Sequence, residues 1–278
     1  MSVKTGKIIS TLEQLAPLSL QEDWDNSGLQ VGSPSWRTDK ILLALDITPK
    51  VVEYAIAEKC GFILSHHPLI FHKISRVDAS TPIGSCIAEA LTNRICIYAM
   101  HTNLDVIPGG VSDALAALLQ LNNIQVLDKG SGNYCKLENG EHGLGRIGLL
   151  PEAMTLGDFA AQLANLLGCP AVKVCGEKAR IIKRVAVCGG SGGDLVTLAH
   201  YSGADVMVTG DVGHHTALDA AGLGLALVDP GHYASEYPVI KFLKSYLHDT
   251  LGEIAIIKYP GTDPFWIKTV QRELGREV

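Results

Sequence analysis

The chain has 278 residues, of which 47% are hydrophobic and 19% charged, and its net charge at pH 7 is −6. These values are typical of a soluble globular protein and suit one large domain or two smaller ones. Lys and Arg are scattered, so a nucleic-acid partner is not favoured, although a local basic pocket for one nucleotide is not excluded. The sequence lacks both a run of about 18 apolar residues and a signal peptide, so we expect a cytoplasmic protein without a membrane span.

Short runs of β-forming residues alternate with helix-type stretches along the chain, which is typical of a mainly parallel α/β sheet. The predicted strands, in chain order, are residues 40–46, 62–65, 95–100, 184–188, 205–209 and 225–229. The predicted helices between them are residues 48–59, 83–93, 156–167 and 194–202. The strands are apolar almost throughout, as expected when helices cover both faces of a sheet.

The order of these elements occurs twice, with a His-His pair after the second strand of each half and a His after the third. We therefore predict a duplication that gives two topologically similar three-layer α/β/α domains with mostly parallel sheets. The first domain is expected to span residues 1–125 and to carry most metal ligands. The second would span residues 126–278, with residues 229–278 packing back on the first domain to complete the site. The less regular residues 122–180 are expected to hold the join.

Two adjacent histidines, His66 and His67, directly follow the predicted strand 62–65, and Pro68 helps to end that strand. A single His there would more often be a packed core or loop residue. An adjacent pair at the carboxyl end of a buried strand could instead serve two neighbouring metal ions, one imidazole each. This motif alone supports a metal site and a structural role about equally.

A second motif, from His101 to Asp105, follows the next predicted strand. Asp105 could cap the helix expected beyond Gly110, or it could bind a hard cation through oxygen. For Asp105 taken alone, capping or a turn is the favoured interpretation. His101 could bind a metal, orient a metal ligand or hold a substrate.

The third motif runs from His232 to Glu236 and follows the predicted strand 225–229. Pro238 is typical of a first helical turn, so a helix is predicted to begin near Ser235. This places His232 in the preceding loop and Glu236 at the helix N-terminus. The helix dipole favours an acid at that position in any case, which is the structural interpretation of Glu236.

Ligands of open α/β sheets gather outside the carboxyl ends of the strands, where all three motifs lie. Together the motifs offer a nitrogen and oxygen donor set that suits zinc, manganese or iron. A bridging carboxylate and open coordination positions fit two divalent ions better than one closed structural site. The sequence therefore predicts a two-metal cleft whose ligands are His66, His67, Asp105, His232 and Glu236.

Two further features of the second half allow two interpretations each. Asp211, His214, His215 and Asp219 are the expected counterpart of the His66-His67 motif, and a cleft wall or structural role is favoured over metal ligation. The glycine-rich residues 189–193 follow a predicted strand and precede a predicted helix. They could cradle an anion at the helix N-terminus or form a tight turn.

In these motifs the chain resembles the Nif3-like family of dinuclear metal proteins, often named GTP cyclohydrolase I type 2. The matching stretches are residues 24–32, 65–71, 101–105, 209–215, 231–236 and 261–265. The resemblance implies two similar α/β domains, two metal ions held by the same five residues, and assembly into a toroidal homohexamer. It also implies a compact form of the family, because the chain is too short for a large domain between the halves.

The leading functional hypothesis is a dinuclear metal-dependent hydrolase acting on a small molecule. The family name implies ring opening of a guanine nucleotide by a metal-activated hydroxide, and a phosphoester would suit the same metal pair. Glu236 or Asp105 is the expected bridging carboxylate, and His101, Tyr233 and His215 are the catalytic candidates. The alternative is a metal-binding adaptor or metal-handling protein without turnover, because the sequence shows no obvious nucleophile or nucleotide fingerprint.

Overall fold

The computed structural model describes residues 2–130, 142–252, 254–261 and 263–268. Its strands are β1 (Val3–Lys4), β2 (Gly28–Val31), β3 (Arg37–Thr38), β4 (Lys40–Ala44), β5 (Phe62–Ser65), β6 (Cys96–Ala99), β7 (Asn122–Asp128), β8 (Leu144–Thr155), β9 (Lys173–Cys175), β10 (Ile181–Ser191), β11 (Val206–Gly210), β12 (Ala226–Asp229) and β13 (Ala255–Lys258). Its helices are α1 (Thr5–Leu15), α2 (Pro49–Ala57), α3 (Pro82–Thr92), α4 (Thr102–Asp105), α5 (Val111–Leu118), α6 (Leu156–Leu167), α7 (Val196–Tyr201), α8 (His214–Leu223), α9 (His232–Glu236) and α10 (Val239–Leu251). No helix in these ranges is long and apolar enough to cross a membrane.

Two sheets dominate the described part of the chain. The first has the order β13-β4-β5-β6-β2, in which only β2 runs antiparallel to its neighbour. The second has the order β7-β8-β10-β11-β12-β9, in which β10, β11 and β12 are parallel and the outer pairings are antiparallel. The predicted α/β fold with parallel strands is confirmed, and so are the six predicted strands, with small shifts at their ends.

Residues 122–180 are more regular than the sequence predicts. They form the long antiparallel strands β7 and β8, helix α6 and the edge strand β9. Thr155 begins α6 because its side chain accepts a hydrogen bond from the Asp158 amide, and Gly168 ends it in the left-handed conformation with a φ of 69°. The second sheet therefore holds more antiparallel pairings than expected.

Helices cover both faces of each sheet. Alternate residues of the central strands point to opposite faces, so each central strand contributes to two cores. Ile41 and Leu43 of β4 pack in a core with α1 and α10, whereas Leu42 and Ala44 pack in a core with α2 and α3. Strand β10 divides in the same way between a core with α5 and α6 and a core with α7 and α8. Each sheet is thus the middle layer of an α/β/α sandwich.

The two sheets repeat the same central order, β4-β5-β6 in the first and β10-β11-β12 in the second, each followed by an antiparallel edge strand. Phe62 of β5 and Val206 of β11 are equivalent in that each is the first residue of its strand and pairs with both neighbouring strands. Counting from these two residues, Gly210 and Asp211 occupy the positions of His66 and His67. Of the expected counterpart cluster, Asp211 therefore lies at the position of His67, whereas His214 and His215 begin α8.

After β12 the chain returns to the first sheet. Helix α10 buries Leu243 and Leu247 against that sheet, in the core that also holds Ile41 and Leu43. Strand β13 then pairs in parallel with β4, from Ala255 opposite Lys40 to Lys258 opposite Leu43. This crossing brings the connection between the sheets, including α9, next to the carboxyl ends of β5 and β6. The domain limits at residues 125 and 126 stay a prediction.

Candidate metal centre

The candidate centre lies where the carboxyl ends of the parallel strands of the two sheets meet. His66 and His67 follow the last residue of β5, and His101 follows β6 by two residues. From the second sheet, α9 begins three residues after β12 and carries His232 and Glu236. The two halves come into direct contact here, because the Nε2 atoms of His67 and His232 lie 3.3 Å apart.

Glu236 is the centre of this group. Its Oε1 lies 3.1 Å from His232 Nε2 and 3.5 Å from His66 Nε2, and its Oε2 lies 3.2 Å from His67 Nε2. Asp105 approaches from the other side, with its Oδ1 3.6 Å from His66 Nε2. The structure thus brings the five predicted ligands together, and their binding of metal stays a prediction.

Each imidazole is oriented through its Nδ1 atom. The partners are Met100 O for His66 at 2.7 Å, Asp46 Oδ1 for His67 at 2.8 Å, Asp25 Oδ1 for His101 at 2.7 Å, and Asp211 Oδ2 for His232 at 2.7 Å. The His66 Nδ1 must donate, since a carbonyl oxygen only accepts. Such hydrogen bonds fix the ring and leave Nε2 free to bind a metal.

Two buried polar atoms of the group, His66 Nε2 and Glu236 Oε2, make no well-aligned hydrogen bond to a described residue. Their nearest partners are Glu236 Oε1, 3.5 Å from His66 Nε2, and His67 Nε2, 3.2 Å from Glu236 Oε2. His66 is 0% exposed and Glu236 is 4% exposed, so bulk water does not solvate them. Buried polar atoms are normally paired, and a pair left open this deep fits a bound cation. The imidazole and carboxylate donors also match the preferences of zinc, manganese and iron.

Candidate ligand atoms among the described residues form two overlapping groups that share His67; they include His101 and leave out Asp105. His66, His67 and His101 form one, and His67, His232 and Glu236 form the other, each with all its ligand atoms within 4.8 Å of one another. The residues present therefore fit bound metal.

The charges of the group attract one another strongly. Burial alone would raise the pKa of Glu236, but the neighbouring imidazoles, led by His66, hold it well below its usual value. Burial would lower the pKa of His67, but Asp46 and Glu236 raise it to about 10. Glu236 likewise raises the pKa of His232 to about 9. The carboxylates therefore favour positive charge among these imidazoles, which bound protons or a metal cation would supply.

Helix α9 begins earlier than the sequence predicts. His232 is its first residue and Glu236 its last, because Gly231 makes the preceding turn with a φ of 92°. Pro238, which has no amide hydrogen, then separates α9 from α10. His232 and Glu236 are thus four residues apart on one helical turn, which directs both side chains to the same side.

Glycines in β10 and β11 let α9 pack against the second sheet. A Cβ on Gly190 would lie 2.3 Å from Glu236 Oε1, and a Cβ on Gly210 would lie 2.8 Å from the His232 Cα. The Gly190 amide donates to Ser235 Oγ at 3.0 Å, and the Gly192 amide donates to Thr209 Oγ1. Because these two amides have partners within the protein, the close-packed turn is favoured over the anion cradle for residues 189–193.

The catalytic candidates lie in different places. The His101 ring is 5.3 Å from the His66 ring and 5.5 Å from the His67 ring. The Tyr233 hydroxyl donates to Gly261 O at 3.1 Å. His215 is exposed on α8, and neither ligand group found in the described residues includes it or Tyr233.

The sequence analysis missed the carboxylates that orient the imidazoles. Asp46 ends the predicted strand 40–46, and Asp25 lies in the first stretch that resembles the family, but neither was assigned a role. Asp211 was assigned to a cleft wall or to structure, and the structure places it against His232. Asp105 ends α4 and does not cap α5, whose N-cap residue is Gly110.

The chain is similar to known proteins over nearly its whole length. Residues 3–264 match the family described as Duf34/NIF3 (NGG1p interacting factor 3). A Clostridium acetobutylicum protein named GTP cyclohydrolase 1 type 2 homolog is 32% identical over 273 residues, which cover 96% of this chain and 100% of the relative. A Clostridium perfringens protein of the same name is 34% identical over 265 residues, covering 95% of this chain and 99% of the relative.

Solved structures show the same fold. A Bacillus cereus protein related to NIF3 aligns with a TM-score of 0.85 at 30% identity, covering 95% of this chain and 99% of the other. A hypothetical protein from Staphylococcus aureus aligns with a TM-score of 0.86 at 33% identity, with the same coverage of 95% and 99%. On the sequence match and the shared fold, the chain belongs to the Duf34/NIF3 family.

Proposed function

We propose that the chain is a metal-dependent hydrolase that holds two divalent cations, zinc, manganese or iron, and acts on a small molecule. One observation carries the proposal: oriented imidazoles from both sheets converge on the buried carboxylate of Glu236, where His66 Nε2 and Glu236 Oε2 make no well-aligned hydrogen bond to a described residue. A site built only for stability would pair these atoms within the protein.

His66, His67, Asp105, His232 and Glu236 are the proposed ligands. His67 belongs to both candidate ligand groups, but its Nε2 can bind only one cation, and Asp105 belongs to neither group, so a second cation position rests on the carboxylates. Glu236 suits the bridging role better than Asp105, because its oxygens face different imidazoles. Oε1 faces His66 and His232, whereas Oε2 faces His67.

Two divalent cations would supply Lewis acidity and a water whose pKa is lowered to near neutrality. The chain's own residues would orient the ligand rings and exclude bulk water from the site. Asp46 and Asp211 hold the His67 and His232 rings, and the buried carboxyl ends of the strands close the floor of the site. His101 is the residue placed to move a proton, because Asp25 holds its Nδ1 and its side chain is 15% exposed.

The choice of substrate comes from the relatives. The name GTP cyclohydrolase 1 type 2 homolog supports a guanine nucleotide as the first substrate to test, with phosphoesters second. Tyr233 and His215 stay candidates for contacts with parts of a substrate that extend beyond the ligand group. A toroidal homohexamer, implied by the family resemblance, is proposed as the working assembly.

The test is metal analysis of the purified protein by inductively coupled plasma mass spectrometry, followed by hydrolysis assays with GTP and phosphoesters. We expect about two metal equivalents per chain in the wild type and a loss of both metal and turnover in the Asp105→Ala, Glu236→Ala double variant. The matched control is the Glu152→Ala, Asp249→Ala double variant, which removes two exposed acids.

Two results would contradict the proposal. If the wild type binds no zinc, manganese or iron after reconstitution, the metal centre is wrong. If it binds metal but shows no turnover of any substrate, the hydrolase assignment fails and an adaptor or metal-handling protein takes its place. The Glu236→Gln variant, which nearly preserves side-chain volume, and circular dichroism separate loss of metal from loss of fold.

A further inference from the structure

Exposed aromatic rings line one side of the candidate metal centre. Trp24 is 60% exposed and Phe71 is 43% exposed. Their ring centroids are 5.9 Å apart, and each lies beside the His101 ring, at 5.9 Å for Trp24 and 6.0 Å for Phe71. The three rings thus form a triangle with two large apolar members open to solvent.

This triangle adjoins the ligand group directly. His101 is its third ring, and the His101 centroid is 5.3 Å from the His66 centroid and 5.5 Å from the His67 centroid. Trp24 and Phe71 therefore lie one imidazole away from the ligand atoms. A small molecule with one end at the metal centre could reach both rings.

Hydrogen bonds hold the loops that carry the two exposed rings. Asp25, next to Trp24 in the chain, accepts hydrogen bonds from His101 Nδ1, Thr102 N and Ser27 Oγ, at 2.7, 3.1 and 2.8 Å. These bonds join the loop of Trp24 to the backbone that follows β6. The backbone of Trp24 is therefore held next to the candidate metal centre by hydrogen bonds within the protein.

The loop of Phe71 is joined to the loop of Trp24 in the same way. Asn26 Nδ2 donates to Ile70 O at 2.6 Å, and Ile70 N donates to Gln30 Oε1 at 3.2 Å. Because these hydrogen bonds fix the loops, the backbone beside each ring loses little conformational entropy when a ligand packs on the ring. Exposed aromatic side chains beside a cleft are typical of a surface that contacts a ligand.

We propose that Trp24 and Phe71 form a stacking platform for a planar conjugated ring in the substrate, with the polar part of the substrate directed to the metal centre. The inference rests on the proposed function, because the platform adjoins the same metal centre. The metal centre is charged and polar, whereas the platform is aromatic. This division fits a ligand that joins a flat ring to an anionic or hydroxylated group, and stacking on an aromatic side chain accepts any such ring.

The test compares matched ligands by isothermal titration calorimetry on the zinc-loaded protein. GMP and FMN carry a planar ring, and ribose 5-phosphate is the control without one. We expect the wild type to bind at least one ring compound about tenfold more tightly than ribose 5-phosphate. Trp24→Leu should weaken ring binding by about tenfold and leave ribose 5-phosphate unchanged, and Trp24→Phe should restore most of the loss.

Control variants complete the design. Phe71→Leu should weaken ring binding in the same direction, whereas Tyr201→Leu removes a 76% exposed ring on α7 and should change nothing. Metal content should stay at the wild-type level in all four variants. The platform is wrong if the ring compounds bind no more tightly than ribose 5-phosphate, or if Trp24→Leu weakens both kinds of ligand equally.

The two proposals can fail separately. Metal binding and turnover without a preference for ring compounds would overturn the platform and leave the hydrolase standing. A preference that depends on Trp24, in a protein that binds metal and hydrolyses nothing, would support the platform and overturn the hydrolase.

Discussion

The Nδ1 atom of His232 lies 2.7 Å from Oδ2 of Asp211, and Asp211 holds this position with a φ of 54°. This φ lies in the left-handed region, which residues other than glycine adopt at some cost, although Asp tolerates it better than most. Asp211 also occupies the sheet position equivalent to His67 of the first half. The duplicated position thus carries a proposed ligand in one half and a residue that orients a proposed ligand in the other.

We predict that Asp211→Ala weakens zinc binding by about 10- to 100-fold, because the His232 ring loses the partner that fixes its orientation. Asp211→Asn should weaken it less, since Asn tolerates the left-handed conformation and its amide oxygen still accepts the hydrogen bond. Competition with a chromogenic chelator measures both affinities. Asp219→Ala, which removes an exposed acid on α8, is the control, and equal affinities in all four proteins would contradict the prediction.

The Asp25–His101 pair predicts a pH dependence of stability in the metal-free protein. Burial alone would raise the pKa of Asp25, but hydrogen bonds from His101, Thr102 and Ser27 hold it far below its usual range. In the unfolded chain the same carboxyl titrates near its ordinary pKa of about 3.9. The unfolded state therefore takes up the proton first as the pH falls. The stabilising contribution of Asp25 is complete above about pH 5 and is lost as the pH drops toward its folded pKa.

Thermal unfolding of the wild type and of Asp25→Asn at several pH values tests this sign. The difference in Tm should be largest near neutral pH and should narrow between about pH 5 and 3. Asp249→Asn, at an exposed carboxyl, should show no such trend. A difference in Tm that stays constant or widens toward pH 3 would show that the carboxylate does not stabilise the fold through these hydrogen bonds.

The proposed toroidal hexamer predicts a particle of about 180 kDa, six times the 29.6 kDa chain mass. Light scattering coupled to size-exclusion chromatography measures this mass directly. Repeating the run after removal of metal with a chelator shows whether the assembly depends on the metal centre. We expect the same mass in both runs, because the proposed ligands all come from one chain. A monomer in both runs would contradict the assembly.

Much of the fold and the candidate site could be predicted from the sequence because both rest on short-range patterns. The buried run of β5 was predicted with its observed ends, Phe62 and Ser65, and His66 and His67 follow it immediately. A histidine at the carboxyl end of a parallel strand must lie at the ligand-binding edge of the sheet. The strand pattern therefore predicted both the sheet and the edge of it where the candidate ligands lie.

The remaining features depend on contacts between distant parts of the chain. Asp25 is 76 residues from His101, and Asp211 is 21 residues from His232, so no local pattern links either pair. His214 and His215 were grouped with Asp211 and Asp219 as the counterpart of the His66-His67 motif by their order in the chain. Strand register, which only the folded sheet reveals, places Asp211 alone of these at the position equivalent to His67.

Gly190 offers the sharpest test of how tightly the second sheet holds Glu236. Its φ of 65° is strained for any other residue, and a Cβ there would lie 2.3 Å from Glu236 Oε1. Gly203 has a φ of 78° but nothing within 4 Å of its Cβ position, so Gly203→Ala carries similar backbone strain without the steric clash. Both Ala variants should lose about 1–2 kcal/mol of unfolding free energy in the metal-free protein from the backbone alone.

Only Gly190→Ala should also lose metal, because the new methyl group displaces the carboxylate that the imidazoles share. Chemical denaturation of the metal-free variants measures the loss of unfolding free energy expected in both. Metal analysis after reconstitution measures the loss of cations expected only in Gly190→Ala. Equal metal content in the two variants would mean that Glu236 can move without loss of the cations. In that event Asp105 would be the better candidate for the bridging carboxylate, since its Oδ1 also approaches His66 Nε2, at 3.6 Å.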